Sequence, residues 1–167
     1  MKVFLSYPSE HLETAREVKN FIRSTGIDCW FDKDDLVAGQ DWDRARGIAL
    51  ADADVIVVLC ASQTTERNGV YQREINEALR LQNDRRLGIV YIIPLRLEDT
   101  PLPPELARLH YVDHFETSWR RSFAAGLACA VGEQGEDGVG ATVELLREIL
   151  IEGVRFLARL IQTANPV

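Results

Sequence analysis

Asp54-Val55-Ile56-Val57-Val58-Leu59-Cys60 decides the fold. Its five central residues are apolar without a break, and four of them are β-branched, which suits a pleated strand and crowds a helix. No polar residue interrupts at every second position, so neither face of this strand can be wet. Such a run belongs at the centre of a parallel sheet, with helices laid over both sides.

Working outward, strand and helix patterns alternate on either side of it. Upstream, residues 2–7 read as a first strand. Ser9 is then placed to cap a helix carrying Leu12, Ala15, Val18 and Ile22 on one face, with Glu10 and Glu13 near its positive end. Gly26 ends that helix. Residues 27–31 read as a second strand, and a polar loop over 32–40 and a helix over 41–51 lead back to the central run, 54–60. Downstream, a loop over 61–68 enters a helix with Tyr71, Ile75, Ala78 and Leu79 at core-facing spacing, while Arg73 and Glu77 are spaced to pair in solvent. A fourth strand over 88–95, a loop containing Pro101, Pro103 and Pro104, a short fifth strand over 111–115 and a helix over 117–131 complete the pattern. This alternation predicts an α/β fold: a flavodoxin-like, doubly wound, five-stranded parallel sheet with helices on both faces, plus a C-terminal helix. The domain occupies residues 1–132. Residues 133–140 have the glycine and acid content of a linker, and residues 141–167 read as an amphipathic helix. Its apolar stripe either packs back on the domain or begins a further domain or oligomerisation element.

Composition narrows the function classes. At 167 residues, 46% hydrophobic and 27% charged, the chain suits one globular domain with an appended element. A net charge of −7 and the absence of any Lys/Arg-rich run exclude a general grip on nucleic acid, which needs a basic face. No apolar stretch is long enough to span a bilayer, and the first residues read as a strand, not a signal peptide. Cys29, Cys60 and Cys129 are odd in number and widely spaced among apolar neighbours, the pattern of buried free thiols in a reducing, cytoplasmic setting. There is no CxxC, and His110 and His114, read as surface residues, are the only close pair of classical ligands, so no metal site is expected.

In doubly wound sheets ligands bind beyond the carboxyl ends of the strands, near the reversal of strand order. That rule selects Ser6-Tyr7-Pro8-Ser9, Trp30-Phe31-Asp32-Lys33, Cys60-Ala61-Ser62 and the opening turns of the helix containing Glu74. No GxGxxG, no GxxxxGK[ST] and no GxSxG occurs there, which argues against a dinucleotide cradle, a P-loop and a nucleophile elbow. A phosphoacceptor receiver would need acids ending strand one and an Asp ending strand three; Ser6-Tyr7 and Cys60 stand there instead. Glu74 follows Tyr71 by three residues and precedes Ala78 by four, so it flanks the apolar stripe and is partly shielded. A carboxylate so placed can hydrogen-bond sugar hydroxyls and stabilise positive charge on a ribose as a glycosidic bond breaks, or it is an ordinary helix glutamate reaching water. Trp30 either stacks on a flat heterocycle or fills core; alternation sends Phe31 to the opposite face. The loop over 32–40 has four charges, an exposed Leu36-Val37 pair and a flexible Gly39, and its length marks it as a contact loop.

These segments resemble a known family. Phe4-Leu5-Ser6-Tyr7 resembles the first motif of TIR (Toll/interleukin-1 receptor) domains. Gly26-Ile27-Asp28-Cys29-Trp30-Phe31-Asp32, followed by Leu36-Val37-Ala38-Gly39, resembles their second strand and BB loop. Residues 54–62 resemble the third strand, and Tyr71-Gln72-Arg73-Glu74-Ile75 resembles the helix that carries the glutamate of prokaryotic NAD-cleaving members. The resemblance spans residues 1–132. It implies an NAD+ glycohydrolase with Glu74 catalytic, NAD+ as substrate and no further cofactor or metal. Ser6, Tyr7, Trp30, Phe31, Asp32, Ser62 and Tyr71 would contact the substrate. It also implies self-association through the loop bearing Lys33, Asp34, Leu36 and Gly39, coupling to a downstream sensor domain or partner, and a role in anti-phage defence. Val70 stands where such members often carry Trp, and Pro8 where many carry a basic residue, which leaves linear or cyclic ADP-ribose open as product. The same fold and loop also serve non-enzymatic signalling adaptors acting by TIR–TIR binding, and a nucleotide binder without hydrolysis is a third reading.

Overall fold

The computed structural model describes residues 1–62, 69–85 and 88–132, together with Arg147 and Ile151. The linker over 133–140 and nearly all of the predicted amphipathic helix lie outside these residues; Arg147 and Ile151, the two described positions in it, are helical.

The elements run β1 (Lys2–Ser6), α1 (Leu12–Ser24), β2 (Asp28–Trp30), α2 (Asp32–Asp35), α3 (Trp42–Ala51), β3 (Val55–Cys60), α4 (Val70–Asn83), β4 (Ile92–Arg96), β5 (Val112–Asp113) and α5 (Trp119–Gly132). The sheet is wholly parallel in the order β2-β1-β3-β4-β5, so the chain reverses its direction of winding between β1 and β3. This is the doubly wound fold the alternation predicts.

All six residues of β3 are buried. Strand alternation divides them between two cores. Val55, Val57 and Leu59 join Val3, Leu5 and Leu95 in a core completed by α1 and α5, including Ala15, Val18, Phe123 and Leu127. Ile56, Val58 and Cys60 join Phe4 and Ile92 against Leu50 of α3 and Ile75 and Ala78 of α4. Each large aliphatic in these layers contributes about 1.5–3 kcal/mol through burial, so β3, which feeds both cores, is the most heavily stabilised segment.

Several local features depart from the sequence expectations. Ser9 does not cap α1. It lies in a tight turn, Ser9–His11, closed by the His11 amide donating to the Pro8 carbonyl at 2.9 Å, and α1 starts only at Leu12 with no side-chain cap. The polar loop after β2 opens with a helical turn, α2, because its acids are stapled. Asp35 Oδ2 accepts from the Phe31 amide at 2.6 Å, and Asp34 Oδ2 accepts from Lys19 at 2.8 Å and Arg23 at 3.0 Å. β4 begins at Ile92, four residues later than the pattern suggests. Gly88 turns the chain there with φ of +92°, a conformation L side chains rarely adopt, and Ile89 and Val90 are only half-buried. β5 is cut to two residues. Glu77 pairs with Arg80, one turn on, and not with Arg73. His114 is not a surface residue: it is half-buried, its ring 4.6 Å from that of Trp119.

The cysteines split. All three are free; Cys29 and Cys60 are buried but Cys129, on the outer face of α5, is exposed, against the expectation of three buried thiols. Burial pushes the Cys29 and Cys60 thiols up to about 12. In the native protein an aromatic disulfide reagent is therefore expected to titrate Cys129 alone, with Cys29 and Cys60 released only on unfolding; prompt reaction of a second thiol at neutral pH contradicts the packing. For the core, Leu59→Ala is expected to lower unfolding stability by about 2–5 kcal/mol in urea titrations, whereas Val37→Ala, at a site 70% exposed, changes it by less than about 0.5 kcal/mol.

Candidate functional site

Alternation along β1 sends Phe4 and Ser6 to the α3/α4 side of the sheet, while Leu5 joins the opposite core. Ser6 is the last residue of the strand and only 1% exposed, so its hydroxyl needs a partner inside the protein. That partner is Glu74: Ser6 Oγ donates to Glu74 Oε2 at 2.5 Å. One turn earlier on α4, the Tyr71 hydroxyl donates to the Leu59 carbonyl at 2.9 Å and ties the start of the helix to the end of β3. From α3, Arg46 Nη1 donates to the other carboxylate oxygen, Oε1, at 3.3 Å. Arg46 Nη2 also donates to Asp43 Oδ1 at 2.5 Å, and the guanidinium lies 5.1 Å from the centre of the Trp42 ring. The Glu74 side chain is 11% exposed, so sequence reasoning placed it correctly as a shielded acid.

Of these groups Trp42, Arg46, Tyr71 and Glu74 line a cleft of about 520 Å³ at the carboxyl ends of β1 and β2. Its walls bring together Tyr7, Trp30, Asp32, Tyr71 and Glu74 of the predicted substrate contacts, and Lys33 and Leu36 of the predicted contact loop. Trp30 stacks on Phe4, with centroids 4.8 Å apart and planes 10° off parallel, so it packs against the core while lining the cleft. The Tyr7 hydroxyl donates to Asp32 Oδ1 at 2.5 Å across the mouth. Ser6 sits beneath the floor as the hydrogen-bond support of Glu74.

Four predicted residues fall elsewhere. Phe31 is fully buried on the other face, stacked on Tyr7 at 5.2 Å with the Lys19 ammonium 5.0 Å from its ring, so it cannot touch a ligand in the cleft. Ser62 lies beyond β3, where its amide donates to Glu98 at 3.2 Å, and does not line the cleft. Asp34 points back to Lys19 and Arg23. Gly39 is exposed at φ of +89°, a turn position that favours glycine.

Sequence reasoning missed Trp42 and Arg46. Both follow the loop leaving β2, so the opening turns of α3 share the ligand-binding edge, and their i, i+4 spacing sets them on one helix flank; that was the available signal. A larger cavity, about 710 Å³, opens beside β4 and β5 between Tyr91, Tyr111 and Trp119, but none of the predicted site residues lines it.

Electrostatics sets Glu74 apart. Burial raises its carboxyl above the ordinary value of 4.5; the Ser6 hydrogen bond and the Arg46 charge oppose that rise, and Asp32 adds to it. Tyr7 is raised as well, by burial and then by its bond to Asp32, which keeps the phenol a neutral donor.

A parallel sheet wound in both directions, with a carboxylate-bearing cleft at its switch point, defines a doubly wound, flavodoxin-like α/β domain. The chain belongs to the TIR-domain family, whose model matches residues 3–128. No curated protein matches it. Among solved structures it is similar to the TIR domain of the Toll-related receptor TRR-2 from Hydra magnipapillata: TM-score 0.61, 18% identity, 75% of this chain and 93% of that one covered. A prokaryotic SEFIR domain is similar at TM-score 0.53 and 18% identity, covering 74% and 88%. A 2-deoxyribosyltransferase from Bacillus psychrosaccharolyticus is similar at TM-score 0.53 and 12% identity, covering 68% and 86%. At these identities the likenesses establish the fold. Among the described residues no helix is long and apolar enough to cross a membrane.

The raised carboxyl makes stability depend on pH. Below 4.5 Glu74 is protonated in folded and unfolded chains alike. As pH climbs from there through the raised folded value, the folded state binds the extra proton and loses stability relative to a neutral isostere. Glu74→Gln is therefore expected to gain melting temperature on wild type as pH rises from 4.5 to neutrality. At this chain length each kcal/mol of relieved burial reads as about 2–4 °C in calorimetry. A difference that is flat with pH contradicts a raised carboxyl.

Proposed function

We propose that the chain is an NAD+ glycohydrolase. The observation that carries this reading is the shielded, doubly held carboxylate of Glu74 on the wall of a cleft at the switch point. The cleft volume lies within the ~300–1,000 Å³ usual for small-molecule sites. Trp30 offers an aromatic side chain to a heterocycle, and the Tyr7–Asp32 pair offers a donor and acceptors to ribose hydroxyls.

In this mechanism the bond from ribose C1′ to the pyridinium nitrogen breaks and its electron pair goes to nitrogen, so nicotinamide leaves neutral. Positive charge develops on the ribose, and the ionised Glu74, in a site of low dielectric, stabilises it. Water then adds to C1′ and loses a proton to solvent, giving ADP-ribose; addition of an adenine nitrogen instead gives a cyclic ADP-ribose. A solved 2-deoxyribosyltransferase with a similar fold supports only the compatibility of such a scaffold with sugar–base chemistry.

Activation by self-association completes the reading. Lys33 and Leu36 line the cleft, and Val37, two residues before Gly39, is 70% exposed, which supports a loop that runs from the site to an exposed tip. We place this activity in the cytoplasm of a prokaryote, in anti-phage defence, with residues 141–167 coupling the domain to a sensor.

Nicotinamide release from NAD+ is expected to rise more steeply than linearly with protein concentration, and Glu74→Ala is expected to reduce it by on the order of 10²-fold or more while remaining folded. Chromatography of the co-product distinguishes linear from cyclic. If concentrated, assembled wild type releases no nicotinamide, the glycohydrolase reading falls; retention of intact NAD+ then marks a nucleotide binder, and its absence an adaptor.

A further inference from the structure

Arg46 is the cation that touches Glu74 among the described residues, and its surroundings fix it in place. The side chain is 12% exposed, held by Asp43 at 2.5 Å and covered by Trp42. Its contact with Glu74, at 3.3 Å, is longer than the ~2.7–2.9 Å of a tight charge-assisted bond, so the guanidinium leans on Asp43 and only guides the carboxylate. Ser6 holds the second oxygen.

We propose that Arg46 is a positioning residue for Glu74: with Ser6 it holds the two carboxylate oxygens, while leaving lone pairs on Oε1 free for a ligand. A carboxylate has roughly four acceptor sites, so two such partners leave room for sugar hydroxyls. The other described ionisable groups bearing on Glu74 do not supply this. Asp32, from α2, opposes ionisation; Tyr7, beyond β1, stays a neutral phenol; Asp43 bears on Glu74 through Arg46. The consequence for turnover rests on the NAD-cleaving reading, whereas the effect on Glu74 itself does not.

The test is a double-mutant cycle read by pH. Melting temperatures of wild type against E74Q, and of R46M against R46M/E74Q, are followed from pH 4 to 9, with R46Q as a second neutral variant and R46K as the conservative one. In each pair the advantage of Gln grows with pH and levels off once folded Glu74 is ionised. An opposite charge at this range shifts a carboxylate by about one unit or more, so in R46M and R46Q the levelling point is expected to move up by about one unit or more, and R46K to restore it. The acid limb of nicotinamide release is expected to move by the same amount, in kcat more than in KM. A levelling point that stays put in both neutral variants, or that R46K fails to restore, overturns the assignment. If it moves while no variant, nor wild type, releases nicotinamide, Arg46 retains its role and the NAD-cleaving reading falls.

Discussion

The whole structure depends on burying β3 on both faces at once. A strand with apolar side chains at every position must be covered twice, and helical connections on both sides of the sheet achieve that. The two helical layers follow from it, α1 and α5 on one side and α3 and α4 on the other. So does the reversal between β1 and β3, where the loops leaving the strands part and open a cleft. Placement of the site is thus a by-product of covering the core.

Within that cleft the chain gives up stability. A buried carboxylate whose pairing leaves it short of full compensation is a poor choice for a helix flank. Ser6 is the reverse, a small hydroxyl at the end of a strand that otherwise wants apolar residues, and its burial is tolerable because Glu74 accepts its hydrogen bond. Each makes the other tenable. Local rules are broken at this pair, on the wall of the cleft.

The architecture was legible because it rests on periodicity, which the sequence displays directly: the unbroken run at β3, and the i, i+4, i+7 stripe of Tyr71, Ile75 and Ala78 on α4. The exposure class of Glu74 was legible from the same stripe. What was not legible came from contacts between distant residues. α2 forms because Lys19 and Arg23, on another helix, hold Asp34, and no local propensity announces that. Arg46 reads as one more solvent cation until α3 is docked beside α4. Phe31 and Trp30 are neighbours of the same chemical kind, and only pairing with β1 settles which faces the cleft and which fills the core.

The stapling of α2 has mechanical meaning. Arg23 bonds to Asp34, Asp35 and the Cys29 carbonyl together, so the near end of the contact loop is bolted to the body of the domain, while its far end carries a bare Val37 and the hinge-like Gly39. Such a segment is a short arm with a fixed pivot. Asp32 and Lys33 sit at the pivot and on the cleft wall. One continuous segment thus joins an anchored base on the cleft wall to an exposed tip, with a left-handed glycine just beyond it.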